Sequence, residues 1–428
     1  MPILNLPPFL LVALAIPVLL LGEWLVRRVW LLSRFNIPSP VAGGLLVALV
    51  LLLLELAGIV QGRFTTKTDA WWWTWIVTAE TEWSGAPSKP AHLPFMVAFF
   101  TCVGLNASWD LVKRGGRLLI GFLVLASILA AIQNVVGIAV AKALQVAPVL
   151  GMICGGMTMT GGHGIGLGFA PVVEKDGMAG ASTLIAAAAT FGLVSGGLLG
   201  GPVATWLIRR NQLRPLHDFS VKVDNGQSAQ ASILKDLKAF GTLGESGWRQ
   251  FLLLLLCMKA GAWLSYAIQK TGFTFPAQIG AIILGAGLRN ALDFSGRRWL
   301  QTETVDLFAS VTLGLFLSMA MMSLNLAELA AVALPMLVIL TVQVAVMAVF
   351  AAAVTFRAMG RDYEAAVIAA GHCGFGLGAT PNAVANMKRL VEAFGPAPRA
   401  FLIVPVVGGF LIDIPNSLCI TWFLNWVK

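Results

Sequence analysis

The sequence predicts an all-α polytopic membrane protein, with ten transmembrane helices in two inverted five-helix repeats, each carrying a glycine-rich re-entrant hairpin. Three observations point there. Hydrophobic residues make up 58% of the 428 and charged residues 11%, too apolar a mixture to keep a soluble surface wet. Runs such as 9–25, 41–59 and 118–141 approach the roughly 20 residues that a helix needs to cross about 30 Å of hydrocarbon. Two glycine-rich segments, 151–169 and 369–387, interrupt that pattern once in each half. A closed β-barrel is excluded, because its strands would alternate polar and apolar residues, whereas these runs are apolar on every side.

The expected spans are 9–25, 41–59, 94–111, 118–142 and 179–207, then 250–268, 277–292, 304–323, 333–356 and 400–424. Re-entrant hairpins fall at about 148–172 and 366–390. The N-terminal repeat covers 1–208, a cytoplasmic connector 209–249, and the C-terminal inverted repeat 250–428. The first run lacks a basic leader and a small-residue cleavage site, so it is expected to remain as a span.

Orientation follows from the basic residues. Most of the 29 lie in loops that this plan puts on one side, among them Arg27, Arg28 and Arg34, Lys113, Arg114 and Arg117, Arg297 and Arg298, and Arg357 and Arg361. That side is cytoplasmic by the positive-inside rule, which makes both termini extracytoplasmic. The loop from Arg63 to His92, with Trp71, Trp72, Trp73, Trp75 and Trp83, then lies along the outer interface. The net charge of +9 is dispersed over these loops without interleaved aromatic residues, so no nucleic acid is expected as a partner. The five cysteines, Cys102, Cys154, Cys257, Cys373 and Cys419, sit at irregular spacing in apolar or glycine-rich segments, as small buried residues do.

The halves echo each other in order. Pro38 pairs with Pro276 at a spacing of 238, Leu105 and Asn106 with Leu324 and Asn325 at 219, and Thr160 with Thr380 at 220. An odd number of spans per half turns the second copy over. Inverted repeats place substrate and ion sites at discontinuous helices near the midplane.

Glycine at this density exposes backbone N–H and C=O groups, tolerable at membrane depth only where protein or a watery cavity satisfies them. In the second segment Thr380 reads as an N-cap and Pro381 as the first helical residue of a half-helix running to about Leu390. Its N-terminus would offer free donors and a positive dipole to a carboxylate. Thr158, Thr160, Gly161 and Gly162 would supply the opposing edge. Close helix packing by small residues is the alternative reading of the glycines. His163 and His372 lie inside these segments, as hydrogen-bonding fixtures or as proton relays. Asp413 lies near the middle of the last span, where an ionisable group is costly, and it is a candidate cation ligand with Asn416 nearby. Asn106 and its mate Asn325 offer neutral oxygens to a cation or a hydrogen bond that locks the structure. Glu55 and Lys259, within apolar runs, would snorkel or pair. No nucleophile elbow, P-loop, paired acid/base carboxylates or transition-metal spacing is present, so no enzyme chemistry is expected.

The motifs GGHG at 161–164, FGLVSGGLLGGPVA at 191–204, GHCGFGLGATPNAVANM at 371–387 and FLID at 410–413 closely resemble those of the bacterial sodium/glutamate symporter family, in the right order and over nearly the whole chain. The resemblance implies Na⁺-coupled uptake of L-glutamate or a related small carboxylate by an elevator-like alternating-access homodimer in the lipid bilayer of the bacterial inner membrane. Neither a cofactor nor any metal besides Na⁺ is implied. Substrate contacts would come from Thr158, Thr160, Gly161, Gly162, His163, Gly374, Phe375, Gly376, Gly378, Thr380, Pro381 and Asn382, and cation contacts from Asn106, Asn325, Asn386, Asp413 and Asn416. Where the family usually reads GGHGTGAAW, this chain reads GGHGIGLGF, so Ile165 replaces a hydroxyl and Leu167 to Phe169 differ. A channel built on re-entrant loops, a different anionic solute, or coupling to H⁺ are the alternatives.

Overall fold

The computed structural model describes residues 3–35, 37–79, 88–215, 233–271, 275–295, 299–326 and 332–427. Trp83, His217, Arg297, Arg298 and the central part of the expected connector, 216–232, lie outside the described residues.

Helices dominate, because in hydrocarbon only intra-segment bonding satisfies the backbone of an apolar run. Leaving aside the short helices Trp30–Arg34, Trp71–Thr74 and Phe356–Ala358, in chain order they are α1 (Pro8–Arg28), α2 (Ser39–Leu56), α3 (Leu93–Asn106), α4 (Trp109–Ala143), α5 (Pro148–Met152), α6 (Gly162–Lys175), α7 (Ala181–Arg210), α8 (Ile233–Gly241), α9 (Glu245–Gln269), α10 (Ala277–Phe294), α11 (Thr302–Met322), α12 (Ala333–Phe350), α13 (Tyr363–Gly376), α14 (Thr380–Phe394), α15 (Pro398–Val406) and α16 (Asp413–Val427). Single π-helical turns follow α5, α12 and α15, at Ile153–Met157, Ala351–Thr355 and Val407–Leu411.

Among the described residues seven helices are long and apolar enough to cross a membrane: α1, α2, α4 from Gly116, α7, α9, α11, and α12 extended to Ala358. The expected span at 400–424 is two helices bent by 43°, Pro398–Leu411 and Asp413–Val427, which would make an eighth. Two expected spans are less apolar or shorter. The helix α3 has 14 residues and ends at Asn106, while α10 carries Gln278, Arg289, Asn290 and Asp293. The all-helical expectation holds, with two short strand pairs beside the helices among the described residues. Ile3–Leu6 pairs in parallel with Gln61–Phe64, and Lys67–Thr68 antiparallel with Lys89–Pro90, because backbone groups outside the helices also need partners.

The chain folds into two compact units, Met1–Ser108 with Leu167–Leu184 and Ala231–Ala331, and Trp109–Gly166 with Ile185–Gln230 and Val332–Lys428. Each unit therefore draws on both halves of the sequence.

In the first unit α1 meets α2 where Gly22 faces Ser39 and Gly43, and α9 meets α10 where Gly261 faces Gly280 and Ala281. Both second helices follow an extended proline, Pro38 at φ −60°, ψ 139° and Pro276 at φ −60°, ψ 149°. The end of α3 is pinned by polar side chains. Asn106 Nδ2 donates to Asp306 Oδ1 at 2.8 Å, Ser108 Oγ to Asp293 Oδ2 at 2.7 Å, and Asn290 Nδ2 to the Ala107 carbonyl at 2.9 Å. The Lys259 ammonium donates to the carbonyls of Trp75 and Thr78, both at 2.7 Å, and lies 4.3 Å from the Trp75 ring centre. It thereby ties the tryptophan segment to α9. Glu55 accepts from Gln61 Nε2 at 2.7 Å.

In the second unit Gly116, at φ 62°, breaks the start of α4, a conformation that glycine adopts without a steric penalty. The remainder of α4 packs on α5, its π turn and α12, while α13 pairs with α14 and α15.

Candidate substrate and cation site

Both glycine-rich segments are interrupted helices. The first runs through α5 and its π turn, loses helical geometry at Gly155 (φ −101°, ψ −141°), turns at 158–161, and restarts at Gly162 with φ 60°. Its hydroxyls are committed locally: Thr158 Oγ1 donates to the Ile153 carbonyl at 2.6 Å, and Thr160 Oγ1 to Gln133 Oε1 at 2.7 Å. His163 Nε2 bonds the Thr190 hydroxyl at 3.0 Å, and that hydroxyl donates onward to the Ala186 carbonyl, so His163 is the donor.

The second segment is α13, a break at 377–379, and α14. Asp362 starts α13 by accepting from the Ala365 amide at 2.7 Å and is held by Arg399 Nη2 at 2.6 Å. Around His372 the interior is aromatic: Phe375 stacks at 5.1 Å, Phe122 meets it edge-on at 5.0 Å, and Thr355 Oγ1 bonds Nδ1 at 2.9 Å. The other ring nitrogen of His372, Nε2, is buried without a hydrogen-bond partner among the described residues. The start of α14 differs by one residue from the expectation. Ala379 is the N-cap, no side chain caps the helix, and Thr380 is already helical. The hydroxyl of Thr380 donates instead to the Gly408 carbonyl in the π turn after α15, at 2.5 Å. That carbonyl needs a partner because the π turn disturbs the i to i−4 ladder. Asn382 and Asn386, both buried, donate to the carbonyls of Leu193 and Gly196 at 2.6 and 2.8 Å and so dock α14 on α7.

The two breaks meet. A Cβ added to Gly162 would lie 2.8 Å from the Gly378 carbonyl. One glutamine bridges both segments: Gln133, fully buried in α4, accepts from Thr160 and donates from Nε2 to the Gly376 carbonyl at 2.7 Å. Its own carbonyl takes Gln343 Nε2 of α12 at 2.7 Å. Gln133 and Gln343 were not singled out in the sequence, although a polar side chain amid an apolar span is a visible signal. Around this junction Gly161, Gly164 and Thr380 are half-buried and Pro381 is exposed, so the start of α14 is reachable. Pro381 has no N–H, and the Asn382 and Ala383 amides donate to the Ala379 carbonyl at 3.0 and 3.3 Å, so what the start of α14 offers an anion is the Thr380 amide and the helix dipole.

Every expected substrate residue, from Thr158 to His163 and from Gly374 to Asn382, falls in the second unit, together with Asn386, Asp413 and Asn416. Asn106 and Asn325 fall in the first, where Asn106 bonds Asp306 and the Asn325 amide donates to Thr183 Oγ1 at 3.1 Å. Asp413 follows the bend between α15 and α16.

The profile of the family described as "Sodium/glutamate symporter" matches residues 5–70 and 73–396. The chain is 39% identical over 414 residues to proteins named "Sodium/glutamate symporter" from Escherichia coli (strain K12) and from Shigella flexneri, covering 95% of this chain and 94% of each relative. A third of that name, from Haemophilus influenzae, is 39% identical over 409 residues with the same coverage. A matched profile and relatives aligned nearly end to end place the chain beyond chance similarity, and it belongs to the sodium/glutamate symporter family, a family of membrane transporters rather than enzymes.

Proposed function

We propose that this protein is a secondary transporter that couples Na⁺ entry to uptake of L-glutamate or a related small carboxylate. The observation that carries this reading is the junction of two interrupted helices, joined by Gln133, beside the uncapped start of α14. The relatives' names add Na⁺ and glutamate to what the geometry suggests. Thr158, Thr160, Gly161, Gly162 and His163 form one side of the substrate site, and Gly374, Phe375, Gly376, Gly378, Thr380, Pro381 and Asn382 the other. The carboxylate of the solute sits at the start of α14, where peptide dipoles replace its water. Cations bind at Asp413, Asn416 and Asn386, and at Asn106 and Asn325 in the first unit.

The chain is a pair of inverted five-helix repeats, 1–208 and 250–428, joined by a cytoplasmic connector at 209–249, with re-entrant hairpins at about 148–172 and 366–390. Equal geometry after Pro38 and Pro276, and the matched crossings at Gly22 and Gly261, support the repeat. Alternating access is elevator-like, the second unit carrying the solute, in a homodimer of the inner membrane with both termini extracytoplasmic. Purified protein in sealed vesicles tests this. An imposed Na⁺ gradient is expected to drive accumulation of glutamate, aspartate or a close analogue; accumulation of none, under Na⁺ or proton gradients, overturns the reading.

A further inference from the structure

The first turns of α16 carry Asp413, Asn416 and Ser417, whose spacing of i, i+3 and i+4 puts them on one helix face. Asn416 and Ser417 are fully buried, yet Asn416 Oδ1 and Ser417 Oγ have no hydrogen-bond partner among the described residues. Leaving such groups unsatisfied is costly, so each calls for an occupant. The direction of the Asn416 amide is fixed. Its nitrogen donates to the Gly156 carbonyl at 3.0 Å, and the Gly156 amide donates to Asn134 Oδ1 at 3.0 Å. The oxygen of Asn416 is therefore held away from the one partner the amide has. Thr421 occupies the Ser417 carbonyl at 2.8 Å and leaves the Ser417 hydroxyl unused. Asp413 forms no ion pair with a described lysine or arginine.

We infer that Ser417 Oγ, Asn416 Oδ1 and the Asp413 carboxylate form one seat for a dehydrated monovalent alkali cation, held against the first interrupted helix through Gly156. The chemistry selects the class. One carboxylate balances one positive charge, and neutral hydroxyl and amide oxygens are hard donors that match a small alkali ion, while a divalent ion would call for more carboxylates or retained water. No thiol or imidazole is needed, and among the described residues no cluster of His, Cys, Asp and Glu competes for a transition metal. Because Gly156 is held from two sides, by Asn416 and by Asn134, occupancy of the seat also fixes the backbone of the π turn at Ile153–Met157. Asn134 is a positioning residue in this scheme, acting through Gly156. The inference rests on the reading of Asp413 and Asn416 as cation ligands and adds Ser417 and the link to Gly156.

The test uses full-length protein in detergent and in vesicles, with NaCl titrated against choline chloride. Na⁺ alone, without organic solute, is expected to raise the thermal unfolding temperature of the wild type. Ser417→Ala is expected to raise the Na⁺ concentration for half-maximal stabilisation and uptake about tenfold, in line with one lost oxygen ligand. Solute KM at saturating Na⁺ stays unchanged. Ser417→Thr keeps the hydroxyl and retains Na⁺ affinity. Should Ser417→Ala fail to fold, Ser417→Cys, with similar volume and a soft donor, is expected to show the same loss for Na⁺ and a gain for Tl⁺. Unchanged Na⁺ affinity in whichever of these variants folds overturns the seat while leaving Na⁺-driven transport intact. Absence of any Na⁺ effect in the wild type instead removes the transport reading on which the seat rests.

Discussion

The side-chain nitrogen of Gln133 donates to the main-chain oxygen of Gly376 at 2.7 Å, while its oxygen accepts from Thr160 at 2.7 Å. A single amide in α4 thus spends its donor on one glycine-rich break and its acceptor on the other. Replacing it with leucine keeps the volume and strands a buried hydroxyl and a buried carbonyl, each at about 1–3 kcal/mol. Gln133→Leu is expected to lower uptake at least tenfold and to lower the unfolding temperature in detergent, with membrane insertion unchanged. Normal uptake by the variant contradicts this role.

Asp413→Asn removes a charge near the middle of the bent pair and keeps its size. The expected result is weakened dependence of uptake on Na⁺, read as a rightward shift in a Na⁺ titration at fixed solute. An unshifted titration rejects Asp413 as a cation ligand.

Gly162 holds φ 60° and faces the Gly378 carbonyl. A side chain there adds about 1–2 kcal/mol of left-handed strain besides the contact. Gly162→Ala is expected to reduce uptake tenfold or more. Gly121→Ala, in the body of α4 with open space around it, serves as the control and leaves uptake near wild type.

His92, buried at the start of α3 beside Phe316, has its imidazole pushed down by burial to about 4. The folded form binds a proton less readily than the unfolded form, so stability is complete above about pH 6.5 and falls as the pH drops towards 4. Melting curves at pH 7.5 and 5.0 are expected to differ more for the wild type than for His92→Phe. Equal pH sensitivity of the two proteins discounts the burial effect.

Much of this arrangement was legible before any coordinates. The apolar runs fixed the helical class because the bilayer leaves the backbone few alternatives, and the two glycine clusters located the interruptions. The resemblance of residues 371–387 pointed to the family that the full-length comparisons then showed. The bend before Asp413 falls at a π turn, with Pro405 before it and Pro415 after it as its sequence signal. Other features were not legible. Thr380 looked like a cap by residue type, but the Gly408 carbonyl competes for its hydroxyl, a long-range contact invisible to local spacing. Local spacing does not single out Gln133, because its two partners lie 27 and 243 positions away. The division into two compact units, each built from both halves, is likewise a tertiary fact.

Under the proposed function the start of α14 holds the solute and opens to each side of the membrane in turn. Cysteine placed at Thr380, in a variant whose five native cysteines are changed to alanine, tests it in sealed vesicles with an impermeant maleimide. Labelling is expected from either face, slowed by glutamate together with Na⁺ and shifted towards one face by Na⁺ alone. Labelling from one face only, unaffected by Na⁺ or glutamate, contradicts it.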